Sequence, residues 1–285
     1  MNDFRLTSLI GHSGCKVILY ESYDSDLVFV RKVSSSKSYN QRLSLQAKKQ
    51  KDFNNKTIKA PAVFNTGFTD EGLFFFDMEY IQGITLAEYM KTVEIGRIHS
   101  IVENIVRNIV PTGKIAKKSN ENVFVKKISS LGKTLFSLKD EAINQGLEIL
   151  KNHSWNNFYE SPCHGDLTLE NIIIQDNQLY FIDFLDSFHD SWILDVGALL
   201  QDVQALWSYR ELTEININTI LRLMVFRDVL IDEIKARIGD GWLEIYYALL
   251  LKLVRIYPYS KDCHTKDFLK EKIKSVVAII KENKR

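Results

Sequence analysis

Asp166, Asn171 and Asp183 are the residues of this chain whose types and spacing suit chemistry on a metal-bound phosphate. Asp166 lies in the run CHGDLTLENIII, Asn171 follows in the same run, and Asp183 closes the apolar stretch LYFID. Moving a phosphoryl group asks for little covalent chemistry and for strict placement of charge. The acceptor hydroxyl needs a carboxylate within hydrogen-bond reach, a part that Asp166 can take. Phosphate oxygens need Mg2+ across them, and the hard oxygens of Asp183 and Asn171 suit that ion. An aspartate, four residues, an asparagine and then a strand ending in a second aspartate is the spacing of a phosphoryl-transfer loop.

Two kinds of periodicity surround these residues. From residue 4 to about 81, short β-rich runs alternate with turn signals: DFRLTSLI, CKVILYESY, DLVFVRKV, and PAVFNTGFTDEGLFFFDMEYI with a hairpin turn at TDEG. One helical stretch, SYNQRLSLQAKKQKDF, interrupts them. From about residue 85 the spacing becomes helical, beginning with TLAEYM, where Thr85 and Glu88 read as a capping pair. The exception is NIIIQDNQLYFIDF, two short strands around a QDNQ turn. The expected class is therefore α+β, with a β-rich first part and a mostly helical second part. In LVFVRKV the alternation puts Val28, Val30 and Lys32 on one strand face and turns Arg31 to the other.

On His164-Gly165-Asp166, Asn171 and Ile182-Asp183-Phe184, with a weaker match at MEYIQG, the chain resembles the aminoglycoside phosphotransferase and choline kinase group of the protein-kinase-like superfamily. That resemblance spans about residues 7 to 201. It implies a bilobal protein-kinase-like fold, with an N-lobe at 1–83 and a C-lobe at 84–285. It also implies ATP and Mg2+ as cofactors and an enzyme that phosphorylates an alcohol group. Carried over residue by residue, Asp166 is the catalytic base, and Asn171 and Asp183 are the metal ligands. Lys32 is the phosphate-binding lysine of the third strand. Gly11, Ser13 and Gly14 of GHSG fall where the family covers the nucleotide, although two glycines also suit a plain turn. Val17 and Met78 would flank the adenine, and Glu79 and Ile81 would bond the base through their backbone. Gly83 would let the chain turn into the C-lobe. Asp195 falls where the family props its catalytic loop, and an aspartate there also answers a helix macrodipole.

The sequence departs from the family where the lysine's glutamate partner belongs. No glutamate occurs between Val33 and Thr69, and the register places Gln46 there. A glutamine oxygen accepts from the lysine without charge assistance, about 0.5–1.5 kcal/mol in place of about 1.5–3. On that reading Gln46→Glu leaves nucleotide affinity equal or improved. Two functional readings follow. One is a small-molecule kinase acting on a sugar or a cell-surface polysaccharide precursor, with an aminoglycoside or choline-like amino alcohol as the alternative acceptor. The other is a catalytically inactive nucleotide-binding or scaffolding protein. A protein substrate is disfavoured, because a short SFHD segment follows Phe184 and position 165 is glycine where regulated protein kinases carry arginine. Asp186 and Asp190 are open to substrate contact or to plain turn roles, and 95–135 reads as an insertion along the substrate wall.

Composition sets the remaining bounds. The 285 residues are 45% hydrophobic, and 37 basic side chains face 36 acidic ones, so no cationic surplus favours nucleic acid. Three scattered cysteines without a CxxC pattern suit a reducing compartment, and the start of the chain has no charged-then-apolar signal pattern. The apolar run YYALLLKLVRIYPY is broken by Lys252 and Arg255, too soon for a transmembrane segment. The cytoplasm is the expected location, and oligomeric state stays open.

Overall fold

The computed structural model describes residues 4–9, 14–111, 120–138 and 140–284. Gly11 and Ser13 lie outside the described residues. The chain divides into two compact units, Met1–Leu86 with Asn171–Asp186, and Ala87–Glu170 with Ser187–Arg285. The first unit thus takes in the hairpin that carries Asp183, which a single boundary at residue 83 would leave with the helices.

In the first unit, β1 (Phe4–Leu9), β2 (Lys16–Ser22), β3 (Val28–Val33), β5 (Val63–Phe68) and β6 (Phe74–Glu79) form an antiparallel sheet in the order β1-β2-β3-β6-β5. The expected turn joins β5 to β6: Gly72 donates to the Thr69 carbonyl at 2.8 Å and adopts φ +76°, open to glycine at little cost. The register sets Val17 opposite Lys32 and Lys32 opposite Phe76, so these three share one face. Helix α1 (Asn40–Asp52) packs Leu43 and Ala47 against Phe74 and Phe76. On the other face Arg31 is no idle surface group. It forms a two-point ion pair with the buried Asp77 (2.7 and 2.9 Å) and lies 4.0 Å from the Phe75 ring centroid.

A second sheet of four strands runs β4-β9-β8-β7, with β4 at Ile58–Lys59, β7 at Ile84–Thr85, β8 at Ile172–Gln175 and β9 at Gln178–Phe181. The two-residue strands β4 and β7 are too short to leave a period in the sequence. Thr85 ends β7 directly before α2 (Leu86–Tyr89), which is a single turn. Gly83 has a different reason from the expected turn: a Cβ there would lie 2.4 Å from the Ile174 carbonyl oxygen and 2.6 Å from Ile173.

The second unit is helical, with α3 (Ile95–Ile109), α4 (Glu121–Leu135), α5 (Glu141–Lys151), α6 (Trp192–Val203), α7 (Ile217–Ile238), α8 (Glu244–Ile256) and α9 (Cys263–Asn283). Asp140 caps α5 by accepting from the Ala142 and Ile143 amides. Every residue of α6 is buried. It packs on α8 at Gly197, where a Cβ would come within 2.6 Å of the Ala248 Cβ, so the two backbones approach closely. No helix among the described residues is long and apolar enough to cross a membrane.

Candidate active site

Within the first unit, strand alternation buries Lys32 to 3% exposure on the same face as Val17 and Phe76. Burying an ammonium requires a partner. Lys32 finds it in Asp183, with Nζ bonded to Oδ1. Asp183 stands just past β9 with φ +61°, a left-handed backbone costly for an aspartate and common where structure holds a functional group in place. Its side chain keeps a third of its surface open. Asn171 closes the same hairpin at its base, its carbonyl accepting from the Ile182 amide at 3.0 Å. A solvent-reachable carboxylate already neutralising a cation, with a carboxamide on the same hairpin, is a hard-oxygen donor set that suits Mg2+.

Gln46 departs from the sequence expectation. It is buried at 1% exposure, yet its Oε1 has no hydrogen-bond partner, so it does not receive the lysine. Its Nε2 instead donates to the Tyr39 hydroxyl at 3.1 Å and to Asp186 Oδ1 at 3.2 Å. Arg42 reaches the same carboxylate at 3.0 Å, and Lys49 donates to the Leu185 carbonyl at 3.0 Å. Helix α1 therefore grips the segment after Asp183 through three side chains at helical spacing, two of them on the Asp186 carboxylate. The Asp186 carboxylate holds the Arg42 guanidinium above its ordinary pKa through their hydrogen bond. Asp186 is thus an anchor for α1 and not a free turn acid.

Met78 and Glu79 lie on β6, and Ile81 follows it. Met78 packs on the α1 core and accepts a bond from Gln50 at 3.4 Å through its sulfur. Glu79 exchanges bonds with Ala62 through its backbone amide and its carboxylate, and Ile81 is buried. Gly14, the described glycine of the GHSG turn, has φ +74°.

Within the second unit, Asp166 sits on a loop held from behind. Asp195, buried in the first turn of α6, accepts from the His164 amide at 2.6 Å and the Gly165 amide at 2.8 Å, and His164 Nδ1 accepts from the Asp166 amide at 3.2 Å. His164 therefore braces the loop. Gly165 takes φ +97°, which only glycine adopts without strain. A second prop escaped the sequence reading. Asp202, fully buried two turns further along α6, accepts from the Leu169 amide at 2.6 Å and from the Ser208 amide and hydroxyl. Burial drives its pKa up to about 6 against the opposing pull of those bonds. The signal was a second acid, two turns after Asp195, in the apolar run WILDVGALLQDV.

The other missed residue is Lys252 of α8. It is 9% exposed, and its Nζ bonds Asp166 Oδ1. Burial would raise the Asp166 carboxyl; the Lys252 charge and hydrogen bond, with His164 and Arg255, overcome this and hold it below the ordinary carboxylate value. Asp190 accepts from Cys163 Sγ at 3.2 Å, and Trp192 is buried in the core.

A β-rich unit with a buried strand lysine and an aspartate at a hairpin end, and a helical unit with a braced HGD loop, define a protein-kinase-like phosphotransferase. The phosphotransferase enzyme family model, APH, matches residues 22–216, and the chain belongs to that family. Solved structures agree on the fold. A thermostable mutant of aminoglycoside phosphotransferase APH(4)-Ia, in ternary complex with AMP-PNP and hygromycin B, is 11% identical with a TM-score of 0.63, covering 97% of this chain and 94% of that one. An ethanolamine kinase of Plasmodium vivax is 14% identical with a TM-score of 0.52, covering 99% and 84%. A search of curated protein sequences found no match. The protein is a phosphotransferase of the kind that acts on hydroxyl acceptors.

Proposed function

We propose that this enzyme is an ATP-dependent small-molecule kinase that transfers the γ-phosphoryl group of Mg-ATP to an alcohol of a sugar or a cell-surface polysaccharide precursor. The observation that carries the reading is the ion pair of buried Lys32 with the left-handed Asp183. Each group of this pair can also serve a metal-bound polyphosphate, which offers an anion to the lysine and a cation to the aspartate. The nucleotide and aminoglycoside in the APH(4)-Ia complex support the same pairing of substrates. Lys32 would bind phosphate oxygens, Asp183 and Asn171 would hold Mg2+, and Val17, Met78, Glu79 and Ile81 would seat the base. Mg2+ supplies charge neutralisation at the phosphates.

Asp166 would orient the acceptor hydroxyl and take its proton. Its lowered pKa keeps it ionised in neutral solution, and a loose transition state asks more for orientation than for basicity. The test is ADP release from Mg-ATP across a panel of sugars, sugar acids, amino alcohols and aminoglycosides. Turnover that disappears in Asp166→Asn while Mg-ATP still binds supports the kinase. Tight nucleotide binding without turnover on any acceptor favours the scaffold reading, to which the unpartnered Gln46 oxygen lends weight.

A further inference from the structure

Asp195, Asp202 and Lys252 all hold the loop that carries Asp166, and they come from two helices packed on each other. Asp195 and Asp202 of α6 take the His164, Gly165 and Leu169 amides, so both act on the backbone. Lys252 of α8 acts on the side chain: its Nζ bonds Asp166 Oδ1, across 86 positions of sequence. The two helices meet at Gly197 and Ala248, where a Cβ on Gly197 would lie 2.6 Å from that of Ala248. A close approach there brings the Lys252 side of the platform onto the Asp195 side.

Lys252 stands in a costly place. It is 9% exposed, and its neighbours Leu249, Leu250, Leu251 and Leu253 are wholly buried. A lysine serving solubility would run its head out to water. This one turns its head to a carboxylate whose side chain keeps 35% of its surface open. A carboxylate pinned at one oxygen does not turn freely about its Cβ–Cγ bond, and a general base works only at the right angle to the hydroxyl it serves. Burial pushes the Asp166 carboxyl up; Lys252 leads the groups that pull it down, ahead of His164 on its own loop and Arg255 on α8.

We infer that Lys252 is a positioning residue of the transfer reaction, holding the Asp166 carboxylate at the angle that meets the acceptor hydroxyl, with α6 and α8 as the joint platform of the loop. This rests on the kinase reading. The test uses the full chain as wild type, Lys252→Met and Lys252→Arg, with Asp166→Asn to assign its carboxyl carbon by NMR. Lys252→Met keeps a long apolar side chain and loses the charge; Lys252→Gln replaces it if that chain does not fold. The Asp166 carboxyl should titrate below the ordinary carboxylate range in wild type and at least about one pH unit higher in Lys252→Met. With Mg-ATP and water as the acceptor, kcat for ADP release should fall at least about tenfold in Lys252→Met, with the KM for ATP within about twofold. An acid limb absent from wild type should enter its pH profile. Lys252→Arg should bring the titration back down and return part of the rate. An Asp166 titration or a kcat that Lys252→Met leaves unmoved overturns the inference, and so does a loss confined to KM. ADP release absent in wild type, with water and with every acceptor of the panel, overturns the kinase reading and this inference with it. Release present, with Asp166 indifferent to Lys252→Met, overturns this inference alone.

Discussion

Gln46 donates from Nε2 to Oδ1 of Asp186 at 3.2 Å, so a neutral amide meets a carboxylate where the kinase-like pattern has a helix carboxylate meeting a lysine. The acid and the base have exchanged elements: Arg42 and Gln46 sit on α1, and the carboxylate sits three residues beyond Asp183. The helix is still fastened to the segment after Asp183, through a different pair of partners.

This geometry reverses the sequence expectation for Gln46→Glu. A second carboxylate would face Asp186 in a site at 1% exposure, losing a donor and adding repulsion. Stability should fall by roughly 1–3 kcal/mol, read as a shift in the urea midpoint. Asp186→Asn in the same chain should recover most of it, because its amide can donate to the new acid. Unchanged stability with tighter Mg-ATP binding would restore the simpler lysine-partner picture.

Asp195→Ala leaves the buried amide of His164 and that of Gly165 without their acceptor. Each unmet donor costs about 1–3 kcal/mol. The loop carrying Asp166 loses its brace, so kcat should drop at least about tenfold with little change in the KM for ATP. A fall confined to KM would assign Asp195 elsewhere.

Asp202 should leave a mark on the pH dependence of stability. Its folded pKa, pushed up to about 6 by burial, lies above the unfolded value near 3.8, so the folded state binds the proton more tightly. Its contribution is whole below about pH 4 and is lost as pH rises through about 6, a swing of roughly 3 kcal/mol at 1.36 kcal/mol per unit. Denaturation of wild type and Asp202→Asn at pH 4, 5, 6 and 7 should show wild type losing ground to the variant with rising pH. Parallel curves would refute it.

Gly197→Ala tests the α6–α8 contact. Helix propensity alone would gain about 1 kcal/mol, but the added Cβ would lie 2.6 Å from the Ala248 Cβ and 3.0 Å from its carbonyl carbon. Overpacking should win, with a net loss of about 1–3 kcal/mol. Ala248→Gly in the same chain should return part of that loss in a thermal melt.

Period and spacing made much of the chain legible. Alternation in VFVRKV turned Lys32 inward, and the HGD, Asn171 and IDF pattern marked the candidate loop and hairpin, because such short-range relations are written residue by residue. Two-residue strands such as β4 and β7 left no period to read, and Gly83 looked like a turn when its reason is the Ile174 carbonyl, ninety residues on.

By itself, then, the sequence determined the class of protein, the strand face of Lys32 and the succession of a β-rich part and a helical part with one embedded hairpin, since these follow from local chemistry and a loop pattern. Only the tertiary structure decided partners. It gave Gln46 to Asp186, Arg31 to Asp77, Asp202 to the Leu169 amide and Lys252 to Asp166. Each of those pairs joins residues at least 33 positions apart, and a charge's partner at that range is set by packing, which one-dimensional spacing does not encode.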